Sequence, residues 1–351
     1  MRGPLNSIGK SLAFLSVWTL LLPLATSLAH ADSDTSLHLS ISPVTINLQM
    51  NPGTHSSQVL QVKNDGANTE RIHINLEKFT ARDTGGTPKI TPFEATDDFA
   101  HWISFSDSLF ILGPGETKQL TATFSPPQDS AFSYDYAIEF VRAAPSAINS
   151  PTTDHLAGAV SILALLDVNS RDSKHQAAIS NFKPTQSWYE FLPVGLVTSI
   201  KNTGNLHTVV HGNIFIKQGD SKIATLDVNN QSGSILPGTT RDFTSSWSDG
   251  FPVFVDKIKD GQVVTGSDGQ PEKELKWDLS QLLKIRFGQY NAHALLVYDD
   301  GTRDVPIEAD TSFWVIPWRL VLIALAILLL PILLGFAIGK FSSRRAKRQV
   351  K

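Results

Sequence analysis

His207 and His211 stand four residues apart, a spacing that on a helix turns two imidazoles to one face and lets them share a metal ion. Val209, Val210, Gly212 and the following "NIFIK" favour a strand instead. On a strand the two Cα atoms lie about 13 Å apart at roughly 3.3 Å per residue, too far to share one zinc ion easily. Carboxylates cluster at Asp97-Asp98, at Asp299-Asp300 and at Asp83 in "DTGG". Asp300-Gly301, between "ALLVY" and "TRDVPIEA", reads as a hairpin turn. The loop from Asp83 to Phe99 offers oxygens to a calcium ion but lacks the regular alternation of ligands in a dedicated calcium loop. No His-Glu-x-x-His, Gly-x-Ser-x-Gly or phosphate-loop pattern occurs. The chain has no cysteine, which excludes thiol catalysis, disulfides and lipoprotein anchoring. The sequence assigns no catalytic residue, no cofactor and no metal site, and the chain is not expected to be an enzyme.

Recognition is the chemistry left. The stretch "GFPVFVDKIKDGQVVTGSDGQPEKELKW" sets Phe251, Phe254 and Trp277, with Trp247 just before it, among charges and four glycines. It reads as an inserted hairpin whose aromatics either contact a partner or close the core beneath them. Two other long segments, 82–101 and 143–158, break the rhythm of short strands.

The elements that must position these residues are dominated by strands. "SQVLQVKN", "RIHINLEKF", "KQLTATFSP" and "YDYAIEFVR" alternate apolar with polar residues between Gly, Pro, Asn and Asp. Three landmarks occur twice in the same order: "VKNDGANTERI" and "IKNTGNLHTVV"; "ILGPGETKQLTATF" and "ILPGTTRDFTSSW"; "SYDYAIEFV" and "FGQYNAHALLVY". The repeat implies two tandem domains, 32–170 and 175–311. Gly66 and Gly204 are expected to supply a positive φ, the Pro-Gly pairs at 114–115 and 237–238 to open turns, and Tyr136 and Tyr290 to hold their hydroxyls against a turn. The fold class expected is all-β: two tandem immunoglobulin-like β-sandwiches plus one C-terminal transmembrane α-helix.

The ends give an address. Residues 1–31 have Arg2 and Lys10, an apolar stretch and the triplet Ala29-His30-Ala31, the pattern of a signal peptide. Leu320 to Gly339 is uncharged; fourteen of its twenty residues are Leu, Ile, Val or Phe, together favouring insertion by about 4–8 kcal/mol. A helix over 317–339 is expected to span a membrane. Lys340, Arg344, Arg345, Lys347 and Arg348 follow it in a basic tail, 340–351, with no acid among them. Cations stay inside, so a single-pass type I protein of the cell membrane is expected, its tail cytoplasmic and Trp314 and Trp318 at the outer interface. All 33 acidic residues but only 21 of the 30 Lys and Arg lie between Asp32 and Pro317, leaving that part at −12. Such a charge argues against nucleic acid as a partner and against electrostatic docking to anionic lipid.

"SISPVTINLQMNPG", "QVLQVKNDG", "WISFSDSLFILGPGETKQLTATFSPPQDS" and "YDYAIEF" resemble the N-terminal domain of bacterial cell-surface proteins of the WxL-interacting protein type. The resemblance implies a peptidoglycan-binding domain, and the layout of leader, two domains, helix and basic tail fits it. "SLFILGPGETKQLTATF" also resembles pilus chaperones, but these are soluble and periplasmic, and no clear match to their paired basic residues is found. Two functions are carried forward. One is a membrane-anchored surface binding or adhesion protein that engages cell-wall polymer or another surface protein, with lipid met through the helix. The other is a membrane-tethered chaperone or assembly factor acting on exported proteins by β-strand addition.

Overall fold

Two separate hydrophobic cores form, because strands such as Ser56–Asn64 and Thr117–Phe124 bury alternate residues, the central Phe132–Arg142 and Ala159–Val168 bury longer runs, and the chain supplies two sets of strands. The computed structural model describes residues 36–143, 158–267 and 269–348. The expected signal peptide, 1–31, most of the segment 143–158, residues 349–351 and the side chains of Lys340, Arg344, Arg345, Lys347 and Arg348 lie outside what is described.

In the first sandwich one sheet runs β1 (Leu39–Ser42), β3 (Ser56–Asn64), β8 (Thr117–Phe124), β6 (Ile103–Phe105). The facing sheet runs β2 (Thr45–Met50), β10 (Ala159–Val168), β9 (Phe132–Arg142), β4 (Glu70–Ala81), β5 (Pro88–Thr91), with β7 (Leu109–Leu112) also on β4. Leu60, Val62, Leu120, Phe124, Ile138 and Phe140 fill the space between them. The second sandwich sets β11 (Ala177–Pro184), β13 (Val194–Asn202) and β17 (Thr240–Trp247) against β12 (Trp188–Tyr189), β23 (Asp304–Val315), β22 (Gly288–Asp299), β14 (Thr208–Gln218) and β15 (Ser221–Val228), and β16 (Ser234–Ile235) pairs with β14. Its core holds Leu196, Ile200, Ile214, Trp247, Tyr290 and Phe313. Between β17 and β22 lie the inserted strands β18 (Val253–Asp256), β19 (Ile258–Lys259), β20 (Gln262–Val263) and β21 (Lys273–Lys276), which pair as β18–β21 and β19–β20. Strand β23 runs on to Val315, so a domain end at 311 cuts a strand. One apolar helix, α1 (Trp318–Arg348), follows; its stretch Trp318–Ile338 is long and apolar enough to cross a membrane and none of it is buried.

The duplicated Lys-Asn-x-Gly turn has a packing reason. Asn64, fully buried, donates its amide to the carbonyls of Asn68 (2.7 Å) and Leu112 (3.1 Å) and accepts from the Gly66 N–H at 2.9 Å. Asn202 makes the same three bonds with Leu206 (2.8 Å), Ile235 (2.8 Å) and Gly204 (2.9 Å). Each Asn carbonyl also accepts from the glycine of a Pro-Gly turn, Gly115 at 2.8 Å and Gly238 at 3.1 Å. One asparagine per sandwich thus ties three chain segments together inside the core, where an unpaired amide would be costly. Positive φ falls on Gly115 (74°) and Gly238 (73°), not on Gly66 or Gly204. That corrects the expectation for the latter pair: Gly204 is needed because a Cβ there would lie 2.2 Å from the Lys174 carbonyl oxygen, while Gly66 meets nothing nearer than 3.2 Å.

Candidate functional site

Titratable side chains from distant parts of the chain meet where the two sandwiches join. His207, buried just before β14, sets Nδ1 2.7 Å from Asp167 on β10 and Nε2 2.7 Å from Asp135 on β9. Its backbone N–H donates to Asp167 Oδ1 and to Ser133 Oγ, both at 3.1 Å, and the Ser133 hydroxyl donates to Asp167. Burial by itself would lower the imidazole pKa, but the hydrogen bonds to Asp135 and Asp167 outweigh it and push it up to about 9. At neutral pH the ring is a cation that donates from both nitrogens. It is a clamp between domains and has no lone pair left for a metal. His211 is exposed on β14 and takes no part.

The tip of the β4–β5 hairpin makes a second contact across the junction. Thr84 Oγ1 donates to Asp242 at 2.6 Å, and the Thr84 carbonyl accepts from the Asp242 N–H at 2.7 Å. Phe79 and Leu165 of the first sandwich pack with Leu236 of the second. These residues border a cleft of about 290 Å³ that Asn47 and Arg241 also line. The Arg241 guanidinium lies over the Phe243 ring at 5.4 Å and donates to the Ser234 carbonyl at 2.8 Å. A Cβ on Gly86 or Gly233 would come within 2.6 or 2.8 Å of it, so both glycines make room for the charge.

An open sheet edge leads away from this cleft. Among the described residues strand β17 is paired on one side only, with β13. Backbone groups alternate sides along an antiparallel strand, and the Asp242 N–H points outward, to Thr84. Thr244 and Ser246 therefore turn their N–H and C=O groups to the same outer side. They face an opening of about 580 Å³ whose other wall is Thr225, Leu226 and Asp227 of β15, bridged by the Ser245 hydroxyl donating to the Asp227 carbonyl at 2.8 Å.

The four aromatics proposed for a binding loop do not form one surface. Trp247 is 1% exposed and packs 5.1 Å from Tyr290 and 6.1 Å from Phe313. Phe251 is also buried. Trp247 belongs to the core of the second sandwich and Phe251 is buried in the insertion beside Trp277, so of the two alternatives kept for these aromatics both side chains take the packing one. Phe254 is half-buried against Phe191, ring centroids 6.0 Å apart. Trp277 alone is exposed, edge-on to Phe251. Trp314 and Trp318 are exposed beside the start of α1.

The acid clusters serve turns. Asp300 Oδ1 accepts from the Thr302 and Arg303 N–H groups, and Asp83 from that of Gly85. Asp97 accepts from the Glu94 N–H at 2.7 Å and pairs with Lys78 at 2.6 Å, which holds its carboxyl below the usual range. Among the described residues no three His, Asp or Glu side chains come together as a metal site.

The clamp partners of His207 lie 40 and 72 positions away. Spacing could not reveal them; the one available signal was an imidazole beside a turn duplicated between the two domains.

No family model matches the sequence, and no curated protein matches it. Similar solved structures include a class 5 fimbrial chaperone, CfaA, at 16% identity over 69% of this chain and 100% of that one, TM-score 0.33. The Escherichia coli chaperone DraB has 10% identity over 79% and 99%, TM-score 0.32. A CsuC–CsuE chaperone and tip adhesion subunit complex of Acinetobacter baumannii has 12% identity over 59% and 89%, TM-score 0.31.

Proposed function

We propose that this chain is a membrane-tethered extracytoplasmic protein that holds an extended segment of an exported or surface protein by strand addition to β17. The observation that carries the reading is the open outer edge at Thr244 and Ser246, facing a 580 Å³ opening next to the interdomain cleft. Main-chain bonds to such an edge give affinity without a fixed sequence, and pockets beside it give selectivity. The clamp at His207 and the contact at Thr84 hold the cleft and the edge in one fixed relation. The apolar helix α1 is the anchor, with the basic tail on the cytoplasmic side as the charge rule requires. Support comes from this edge and this helix, not from the distant likeness in fold.

Engagement of cell-wall polymer, which the resemblance to WxL-interacting proteins implies, has less to stand on, since Trp247 and Phe251 are buried. Immobilised full-length protein in detergent, offered purified cell wall and secreted protein in separate arms, tests the choice. Strand addition predicts retention of secreted protein; retention of cell wall alone contradicts it.

A further inference from the structure

The end of the second sandwich that meets α1 carries an apolar collar. Between β21 and β22 the chain forms a 3-10 turn, Leu279–Lys284, and within eleven residues it exposes Trp277, Leu279, Leu282, Leu283, Ile285 and Phe287. Leu283 is 99% exposed and Leu279 73%. These side chains are not waiting to fold inward. The Phe251 N–H donates to the Lys284 carbonyl at 3.0 Å, and Arg286 binds Asp249 through both its carbonyl and its carboxylate, so the backbone is pinned to the domain. A patch of this kind on a pinned loop marks a contact surface.

Its place in the fold names the occupant. Gly288, next to Phe287, is paired with Val315, three residues before α1 begins. Paired Cα atoms are about 5 Å apart, so the collar and the helix start lie at one level. The helix start is itself fixed there: the Ile316 N–H donates to the Tyr189 carbonyl at 2.8 Å, and Arg319 forms an ion pair with Glu190 at 3.3 Å. Trp188 pairs with Trp314 at the same end. Trp188, Trp277, Trp314 and Trp318 are the exposed tryptophans among the described residues, and all four gather at this end, where a bilayer interface would take amphipathic rings.

We propose that residues 277–287 insert into the outer leaflet of the bilayer that α1 crosses, giving the domain a second foothold and a fixed height above the membrane. This rests on the reading of α1 as a membrane span. The contact is apolar: the cations within the segment, Lys284 and Arg286, are both paired with Asp249, and the net charge of −12 outside the membrane offers anionic lipid no attraction.

The absence of cysteine makes the test direct. Full-length protein with Leu283→Cys, Leu279→Cys, Phe336→Cys or Val59→Cys, each carrying an environment-sensitive fluorophore, is reconstituted in phosphatidylcholine vesicles with or without a quencher on the acyl chains. Positions 283, 279, 336 and 59 are all exposed, so the label costs no packing. Loss of emission at 283 and 279 as well as at 336, with 59 unaffected, is expected. Quenching at 336 without quenching at 283 or 279 overturns the collar and leaves the span intact. No quenching at 336 overturns the span, and the collar with it. A blue-shifted but lipid-insensitive label at 283 places the collar against protein, such as a second copy of this chain, and also overturns it.

Discussion

Asp135 of the first sandwich and His207 of the second are joined by a 2.7 Å bond from Nε2, with Asp167 accepting from Nδ1 of the same ring. The imidazolium between two carboxylates couples the two sandwiches, beside the Thr84–Asp242 contact and the packing of Leu236 on Phe79 and Leu165. Removing it would leave two acids facing one another in a mostly buried junction.

The clamp has a pH window. The folded-state pKa of His207 is about 9, above the unfolded value of about 6.5. Its stabilisation is therefore complete below about pH 6.5 and is lost as pH rises through about 9, amounting to about 3 kcal/mol. Calorimetry should show the two sandwiches unfolding together at pH 7 and separately at pH 10, and His207→Gln should separate them at pH 7. One transition for that variant at pH 7 would show the clamp to be idle.

Tyr136 is fully buried and its hydroxyl donates to the Phe99 carbonyl at 3.0 Å, while the Phe99 ring packs 5.5 Å from its own. Tyr136→Phe keeps the ring and removes one bond, so unfolding stability should fall by about 1 kcal/mol. Denaturant titration with an unchanged midpoint would remove this tie.

The two Lys-Asn-x-Gly turns should respond unequally to the same change. Gly204→Ala drives a Cβ into the Lys174 carbonyl and should cost about 2 kcal/mol or more, while Gly66→Ala meets only side-chain atoms of Asn64 (3.2 Å) and His38 (3.7 Å) and should cost less than about 1 kcal/mol. Equal midpoints for the two variants would contradict the close approach described at Gly204.

The insertion separates core from surface. Phe251→Ala should destabilise the second sandwich by about 3 kcal/mol or more, and Trp277→Ala, at 52% exposure, by far less. Melting curves of equal shift would mean that the two rings share one environment.

Much of this was legible in the residues. Alternation along β3, β8 and β9 and the repeated turn pointed to two sandwiches because a half-buried strand must alternate and a buried asparagine must be satisfied wherever it recurs. The uncharged run before Lys340 announced a helix by composition alone. What stayed hidden was set by pairing between distant segments: His207 needs β9 and β10, and the open side of β17 follows from which strands fail to reach it. Trp247 and Phe251 stayed open between contact and core because they stand at the start of a charged, glycine-rich insertion, and local composition does not say that the strand end carrying Trp247 lies under Tyr290.

Strand addition at β17 depends on an outward N–H at Thr244. Thr244→Pro removes that donor while sparing the bonds to β13, a setting in which an edge strand tolerates proline, and Thr244→Ala keeps it. The decisive measurement compares secreted protein retained by the full-length chain and by these two variants, with melting curves confirming that both still fold. Retention by wild type and Thr244→Ala with loss in a folded Thr244→Pro is the predicted result. Equal retention by all three would contradict capture at this edge.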